Sequence, residues 1–589
     1  MATLHVTGTQ LEYQPPRLPL IRPFLISIGL IFIVAMHFFM PNPGGSGLAL
    51  SFNATTWIAF AASIAIGLYQ IGTEGKIRYN KLTIVLFISC LMLTAPALYP
   101  DAEFLLVMNR LTGLWFGFSL FVVLQQFRFS NRQKQRLLWF IVIAVAMQAV
   151  LGWVQYTVLQ PGNFMGYNTL SNRPYGIFQQ VNVMASFLAT GLVISGYLLA
   201  RQPTKYQHKL SDVSLLYIMP ALTIPLLIVI ASRTGWLAAI IAVLLVIPYL
   251  YRFATRKRII GWCLSAFAGV IIGFAAPSVF NPNGPDVIAA KANLESPRGY
   301  TFPQTLDMFV EKPFSGYGYG DFESDYMLYT ARQHQLNADY HVGLPSMDHP
   351  HNEVLYWAVE GGLLPVLGIA LAALFVLIRI YQTKKGTRLA MFALFVPIVL
   401  HSQLEYPFYH SIIHWITFIV LLYWVDQRAN SYRIASLSRL SQTLLRVLSL
   451  VTPILVTAYM LSSLHTNYVL TKFELSKPQD PDILKQVTNP VVWKDRYDWD
   501  VYNTYLNVGL MTQDPQYIQP YIDWSLNIIK HKPRPAFYNN LILAYQGMGE
   551  AQKAEQIRSE AKFLFPKIDF DKVQYIAPDI DALKPSAAQ

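Results

Sequence analysis

One short polar segment, directly before a long apolar run, carries side chains that could perform acid–base chemistry. The segment reads SMDHPHNEVLYWAVEGG and holds Asp348, His349, His351, Asn352 and Glu353. Histidine has an ordinary pKa near neutrality, so His351 could act as a general base. The same residues could instead cap a helix, with Asp348 as the N-cap. A metal site is a third possibility, although no ligand spacing such as HExxH is present.

Three arginines lie in connections that otherwise carry few basic residues. Arg173 lies in NRPYGIFQQVN, Arg233 in ASRTGW and Arg298 in ESPRGYTF. A single arginine at a membrane surface can simply anchor a helix end. Because the guanidinium fork matches phosphate geometry, the three together favour an anion site, and we expect the anion to be a diphosphate carried by a lipid. GYGYG, residues 316–320, lacks the phosphate-loop patterns and predicts a turn.

The composition places these residues at a membrane. The chain has 589 residues, of which 53% are hydrophobic and 13% charged, and about thirteen runs are long enough to be candidate spans. These runs lie near residues 22–40, 54–72, 82–99, 105–127, 137–159, 181–200, 214–231, 235–251, 259–278, 354–381, 388–404, 412–425 and 446–464. No cleavage site follows the first run, which predicts a retained span. Cys90 and Cys263 both lie in apolar runs, so no disulfide framework is expected.

The distribution of basic residues predicts the orientation. Alternate connections are rich in Lys and Arg, whereas the short connections between them hold almost only Arg173 and Arg233. The positive-inside rule then places the N-terminus in the cytoplasm and the C-terminus outside. The net charge of +12 is therefore mostly an orientation signal, and nucleic acid is not expected as a partner.

The spans and connections divide the chain into four parts. Residues 1–278 would form nine spans, 279–353 a long outer loop with the turn-rich segment NPNGPD and the candidate catalytic motif, 354–465 four more spans, and 466–589 a C-terminal α-helical domain. A loop of that length is usually functional. The C-terminal part reads as two helical hairpins resembling tetratricopeptide repeats. Two units are too few for a free solenoid, so we expect them to pack on another part of the protein.

Four segments in order carry a resemblance to a known family. They are RPYGIFQQVNVMASFLA, SRTGW, PRGYTFPQTLDMFVEKPFSGYGYGDF and HPHNEVLYWAVEGG. They resemble the membrane family of O-antigen ligases, O-antigen polymerases and bacterial protein O-oligosaccharyltransferases. The N-terminal segment MPNPGGSGLALSFNATTWIAF resembles the segment that marks the PglL branch, which glycosylates proteins.

The resemblance implies an all-α, GT-C-like polytopic protein of the bacterial inner membrane, acting as a metal-independent glycosyltransferase without a cofactor. It would move a preassembled oligosaccharide from undecaprenyl diphosphate to serine or threonine hydroxyls of periplasmic or pilin-like proteins. His351, or else the neighbouring His349, would be catalytic, and Arg173, Arg233 and Arg298 would hold the diphosphate. The supporting residues would be Gln180, Asn182, Asn352 and Glu353.

Two kinds of alternative remain open on the sequence. O-antigen ligases and polymerases differ from the favoured function in the acceptor alone. A transporter or flippase would instead require ionisable residues deep in several spans, where few are evident apart from Arg110.

Overall fold

The computed structural model of the chain describes residues 2–4, 11–13, 19–202, 210–280, 295–428 and 432–578. Helices make up most of these residues. The predicted NPNGPD turn, residues 281–286, lies outside the described ranges. The same is true of the end of the C-terminal domain after residue 578.

Ten helices of the described residues are long and apolar enough to cross a membrane, and two shorter apolar helices accompany them. Along the chain the α-helices are Ile21–Ile33, Ser51–Glu74, Lys81–Thr94, Phe104–Gln126, Asn131–Thr157, Val181–Arg201, Leu210–Ile230, Arg233–Phe253, Arg256–Phe280, Arg298–Glu311, Phe322–Leu336, Glu353–Gly361, Leu363–Tyr381, Arg388–Ala393, Val396–Ser402, Pro407–His410, Ile412–Asp426, Arg439–Leu475, Lys494–Thr512, Pro515–Ile528, Pro535–Gly547 and Ala551–Leu564. The predicted class, an all-α polytopic membrane protein, is confirmed. The number of long spans is smaller than the sequence predicted.

The predicted span 354–381 is two helices. Gly362 separates Glu353–Gly361 from Leu363–Tyr381 and has a φ of 70°. A Cβ at this position would collide with the carbonyl oxygen of Phe314, so a residue with a side chain would be strained there. The break leaves Glu353–Gly361 as a separate nine-residue helix, called the motif helix below.

The predicted span 388–404 is also broken, into Arg388–Ala393 and Val396–Ser402. The next apolar helix, Ile412–Asp426, has 15 residues. At 1.5 Å per residue it is about 22 Å long, which is shorter than the roughly 30 Å hydrocarbon core of a bilayer. Residues 403–411 connect this short helix to Val396–Ser402 and include the four-residue helix Pro407–His410.

Short antiparallel strands are the only strands among the described residues. Ala2–Leu4 pairs with Leu11–Tyr13, and Lys76–Tyr79 pairs with Arg433–Ser436. The second pair closes one end of the helix bundle, called the sheet end below. The opposite end, where residues 295–361 lie, is called the loop end.

The C-terminal helices form the two predicted hairpins and pack on the loop end. They share one hydrophobic cluster with Arg298–Glu311 and Phe322–Leu336. Arg534 donates two hydrogen bonds of 2.7 Å to the carboxylate of Glu323. The prediction that the hairpins pack on another part of the protein is confirmed. The predicted boundary at residue 465 falls inside the continuous helix Arg439–Leu475.

Candidate functional site

Glu405 is the residue at which the predicted motifs meet. Its Oε2 lies 2.8 Å from Nδ1 of His351. Its Oε1 accepts a hydrogen bond of 3.2 Å from Nδ2 of Asn182 and forms an ion pair with the guanidinium of Arg298. The Glu405 side chain is only 10% exposed. One buried carboxylate thus joins the segments that carry the candidate base, one candidate anion-binding arginine and one supporting asparagine.

His351 has an unusual backbone conformation and a partly exposed ring. Its φ is 58°, a left-handed conformation that costs a residue with a side chain about 1–3 kcal/mol and is often found at functional sites. Its side chain is 33% exposed. In the neutral ring, the tautomer with its hydrogen on Nδ1 donates to the Glu405 carboxylate and leaves the lone pair on Nε2. Nε2 is therefore the nitrogen available to accept a proton.

His349 has a different environment, although it lies only two residues away. Its ring is buried and packs on Tyr356 with 4.4 Å between ring centres. Nδ1 accepts the backbone N–H of His351 at 2.9 Å, which helps to hold the left-handed turn. Burial lowers the pKa of His349 well below its ordinary value, and the nearby His351 and Arg110 lower it further. His349 is consequently a neutral side chain that supports the turn.

Asn182 connects the site to the SRTGW segment. Ser232 Oγ donates a hydrogen bond of 2.7 Å to Asn182 Oδ1 and accepts one of 3.0 Å from the N–H of Gly235. Ser232 is thereby the N-cap of the helix Arg233–Phe253. Gln180 is the N-cap of the helix Val181–Arg201, where its side chain accepts the N–H of Val183 at 2.8 Å.

Arg173 lies against the same turn as Arg233. Its Nε donates a hydrogen bond of 2.8 Å to the carbonyl oxygen of Ile230, and a terminal nitrogen donates one of 3.3 Å to that of Ala231. Burial lowers the pKa of the Arg173 guanidinium. Arg233 is the first residue of the next helix and is exposed. Arg173 is thus held by the same turn that carries Ser232, the hydrogen-bond partner of Asn182, and that leads into the helix beginning at Arg233.

The polar residues after His351 are divided between two sides of the motif helix. Asn352 caps the helix by accepting the N–H of Leu355 at 2.9 Å, so the alternative with Asp348 as N-cap is wrong. Its Nδ2 donates a hydrogen bond of 3.1 Å to the carbonyl oxygen of Gln403. Among the described residues, Glu353 does not share a hydrogen-bond partner with Glu405; its partners are Trp357 and Tyr409.

Glu353 and a buried arginine fix the motif helix from behind. Glu353 Oε1 accepts hydrogen bonds from Trp357 Nε1 at 2.7 Å and from the Tyr409 hydroxyl at 2.8 Å. Arg110 forms an ion pair with Glu360 at 2.5 Å and is enclosed by aromatic rings, with the Trp357 ring centre 4.3 Å from its guanidinium carbon. Such contacts stabilise a buried cation. The charge of Arg110 is therefore used within the protein to hold this helix.

GYGYG forms a turn, as the sequence predicted. The N–H of Tyr317 donates to the carbonyl oxygen of Val359 at 2.8 Å, and that of Gly318 donates to the carbonyl oxygen of Glu360 at 3.0 Å. Gly318 has a φ of 111°, and a Cβ there would collide with the backbone of Asp101. The glycines thus serve close packing of this turn against the motif helix.

The remaining histidines near the site make hydrogen bonds inside the helix bundle. His401 Nδ1 and His414 Nε2 lie 2.7 and 3.1 Å from the same hydroxyl, Ser186 Oγ. His410 Nε2 lies 2.8 Å from the carbonyl oxygen of Phe178. Within the described ranges, no group of three or more His, Cys, Asp or Glu side chains is placed to hold a metal ion.

Sequence reasoning missed two residues of the site. Glu405 lies in HSQLEYPFYH, between two apolar runs, and a carboxylate in such a place is itself a signal of function. Ser232 precedes Arg233 in the segment ASRTGW, in which the arginine alone stands out by residue type. In both cases the side chain becomes informative only when its partners, which are distant in the sequence, are known.

Comparison with known proteins identifies related sequences along much of the chain. Residues 218–369 match the family described as O-Antigen ligase, and residues 174–199 match Protein glycosylation ligase. Residues 389–578 match Virulence factor membrane-bound polymerase, C-terminal. The chain is 23% identical to the General O-oligosaccharyltransferase of Acinetobacter baylyi over 409 residues, which cover 66% of this chain and 67% of the relative.

These matches confirm two predictions from the sequence. The resemblance to the O-antigen ligase family, and within it to the PglL branch, is confirmed, and so is the function of a protein glycosylation ligase. The similarity to an oligosaccharyltransferase also supports the prediction that this protein is a glycosyltransferase. Together with the ten apolar helices, the O-antigen ligase match indicates a multi-pass protein of the inner membrane.

Proposed function

We propose that this protein transfers a preassembled oligosaccharide from undecaprenyl diphosphate to serine or threonine hydroxyls of periplasmic proteins, and that it needs no metal ion. The observation that carries the proposal is the contact of one carboxylate, Glu405, with both His351 and Arg298. This contact supports the proposal because it links a candidate proton acceptor to a candidate phosphate-binding arginine. Both groups are needed when a hydroxyl displaces a diphosphate.

His351 is the general base in this proposal. Its Nε2 takes the proton of the acceptor hydroxyl as the hydroxyl oxygen forms a bond to the anomeric carbon of the glycan. The bond from that carbon to the diphosphate oxygen breaks, and the diphosphate leaves with the bonding electrons. Glu405 holds the ring through Nδ1 and stabilises the imidazolium that forms, as the carboxylate does in a Ser-His-Asp triad.

The arginines stabilise the leaving group. Arg298 uses one terminal nitrogen for Glu405, while its buried Nε has no hydrogen-bond partner among the described residues. Arg173 is held by the carbonyl oxygens of Ile230 and Ala231, and Arg233 begins the helix that follows the same turn. Guanidinium groups fixed in this way can neutralise charge that develops on the diphosphate, a task for which many phosphate-transferring enzymes use Mg²⁺.

The loop end of the bundle faces the periplasm in this proposal. The basic residues Lys76, Arg78 and Arg433 lie at the sheet end, where the strand pair closes the bundle. The positive-inside rule assigns such an end to the cytoplasm. The site then opens on the side to which exported acceptor proteins have access.

The C-terminal hairpins are proposed to bind the acceptor protein, of which pilin-like proteins are one kind. Tyr505 and Tyr517 lie 6.1 Å apart between ring centres and are 42% and 41% exposed. Exposed aromatic residues are common in the centres of protein interfaces. By contrast, Tyr521 and Tyr538 are buried between the helices, so they stabilise the hairpins.

The direct test is co-expression of the protein with a pathway that makes a lipid-linked glycan and with a candidate pilin. Mass spectrometry of the pilin should show the intact glycan on a serine or threonine, and the His351→Ala variant should show none. The polymerase match at residues 389–578 favours a second candidate, in which the acceptor is another glycan. Elongated lipid-linked glycan without pilin modification in the same cells would support that candidate and contradict protein glycosylation.

A further inference from the structure

A buried polar cluster lies inside the helix bundle, close to the site. Ser186, His401 and His414 form this cluster, called the Ser186 cluster below, and all three residues are fully buried. Nδ1 of His401 and Nε2 of His414 lie 2.7 and 3.1 Å from Ser186 Oγ. One hydroxyl therefore joins three helices, which are Val181–Arg201, Val396–Ser402 and Ile412–Asp426.

The hydroxyl of this cluster is fully used, whereas the two rings are not. Ser186 Oγ donates its hydrogen to the carbonyl oxygen of Val183 at 3.1 Å, which leaves its two lone pairs for N–H groups of the two rings. The other nitrogen of each ring, Nε2 of His401 and Nδ1 of His414, is buried without a hydrogen-bond partner among the described residues. Burying an unpartnered nitrogen costs stability, whereas an apolar side chain of similar volume would not. The polar character of the cluster therefore requires a reason other than stability.

The Ser186 cluster lies one helical turn from the contact between Asn182 and Glu405. Asn182 and Ser186 are four residues apart on one helix, so they lie on the same face. Glu405 likewise follows His401 by four residues, and its N–H donates to the His401 carbonyl oxygen at 2.8 Å. The same two segments are thus joined twice, through Asn182 and Glu405 at 3.2 Å and through Ser186 and His401.

We infer that Ser186 and His401 are positioning residues, which fix the Glu405 carboxylate where it can orient His351. A single hydrogen bond lets two segments rotate about it, whereas two contacts one turn apart fix their relative height and orientation. Reacting groups require such precision, because a displacement of about 1 Å can cost 10²-fold in rate. The inference rests on the proposed function for the roles of Glu405 and His351. It explains why polar atoms are buried at a place where apolar side chains would pack.

Ser186→Ala removes the hydroxyl with little change in volume, and Ser195→Ala is its matched control. Ser195 lies on the same helix and is also fully buried. Its Oγ accepts a hydrogen bond of 3.1 Å from Trp262 Nε1, so this hydroxyl also joins two helices. The two serines are nine residues apart, which corresponds to about 14 Å along the helix. The control therefore loses a comparable hydrogen bond far from Glu405.

The first test measures kcat, and KM for the lipid-linked donor, with the full-length purified protein in nanodiscs. Ser186→Ala should lower kcat by roughly 10–100-fold and leave KM unchanged, whereas Ser195→Ala should match the wild type in both. In the Glu405→Gln background, Ser186→Ala should cause no further loss, because it acts through that carboxylate. A further loss there, or an equal loss with Ser195→Ala, would show a merely structural role and overturn the inference.

A second pair of variants decides the question if Ser186→Ala does not fold. His401→Leu removes both ring nitrogens and should reproduce the loss of kcat. His401→Asn, whose side-chain amide can reach the Ser186 hydroxyl as Nδ1 does, should recover most of that loss. Equal losses in the two variants would overturn the inference.

Hydrogen exchange followed by mass spectrometry separates this inference from the proposed function. Backbone amides of residues 403–411 should exchange faster in Ser186→Ala than in the wild type, and Ser195→Ala should leave their exchange unchanged. Neither result requires transfer to be detected. Faster exchange in a protein that transfers no glycan would therefore support the positioning role and contradict the proposed function, whereas unchanged exchange would overturn the positioning role.

Discussion

Nδ2 of Asn182 donates a hydrogen bond to Oε1 of Glu405, although 223 positions separate the two residues in the sequence. The same carboxylate holds Nδ1 of His351. Asn182, at the end of the segment NRPYGIFQQVN, and His351, in the histidine motif, therefore contact the same carboxylate. A residue that no motif includes becomes the centre of the site.

The first prediction concerns this carboxylate. Glu405→Gln keeps the shape of the side chain and removes its charge, so His351 loses the partner that stabilises its protonated form. Transfer should fall by roughly 10²-fold or more, because the carboxylate that orients a histidine contributes up to about 10⁴-fold in Ser-His-Asp enzymes. The measurement is kcat/KM with a defined acceptor peptide. Because Glu405 acts through the histidine, the double variant with His351→Ala should be no slower than His351→Ala alone, and additive losses would contradict this.

The second prediction separates the two histidines. His351→Ala should abolish detectable transfer, since a general base contributes about 10²–10⁴-fold, and the protein should remain folded in the membrane. His349→Ala should be milder, because it removes only the acceptor of the His351 N–H. Initial rates and thermal stability of both variants would decide the assignment. Full activity of the first variant with donor and acceptor supplied would refute the role of His351.

The third prediction concerns the arginines. Replacing Arg173, Arg233 or Arg298 with Lys keeps the charge and loses the planar fork. Transfer should fall roughly tenfold or more, since a hydrogen bond to a charged group contributes about 1.5–3 kcal/mol. Arg332→Lys, at an exposed position of the loop, is the control. EDTA should have little effect on the wild type, and inhibition that one divalent ion reverses would support a metal site instead.

The fourth prediction concerns the acceptor. Removing the whole C-terminal part cannot test acceptor binding, because its side chains share a hydrophobic cluster with the loop helices. The double variant Tyr505→Ala, Tyr517→Ala removes an exposed pair instead. It should weaken glycosylation of protein far more than slow hydrolysis of the lipid-linked donor. An equal decrease of both rates would mean that the pair stabilises the fold.

The fifth prediction is a pH dependence of stability. Burial, with a contribution from Glu474, raises the pKa of Asp500 to about 7, above its ordinary value of about 3.9. The folded protein therefore prefers the protonated carboxyl, and the contribution of this group to stability is fully present below about pH 4 and is lost as the pH rises to about 7. Asp500→Asn should be increasingly stabilising relative to the wild type as the pH rises from about 4 to about 7, and the difference should level off above that. Thermal unfolding at several pH values measures this, with the exposed Asp523→Asn as control.

Much of the organisation follows from the sequence alone. A long run of apolar residues must enter the bilayer wherever it occurs, so the polytopic class needs no tertiary information. The helical hairpins after residue 494 likewise follow from local periodicity. The three arginines stand out because they interrupt the alternation of basic connections.

The breaks within the predicted spans 354–381 and 388–404 could not be predicted from the sequence. Hydropathy does not distinguish one continuous span at 354–381 from two helices that meet at Gly362, because the residues on both sides are apolar. The break depends on the approach of the Phe314 backbone. The same holds for 388–404, whose two short helices end where the site begins.

Tertiary structure alone distinguishes the two candidate histidines and reveals the carboxylate beside one of them. His349 and His351 are equivalent by type and spacing, and they differ because one is buried against Tyr356 while the other faces Glu405. A side chain's burial and hydrogen-bond partners depend on segments far away in the sequence, such as the one that carries Asn182. Residue types therefore indicated which chemistry was possible, whereas the packing of distant helices determined which atoms are placed to perform it.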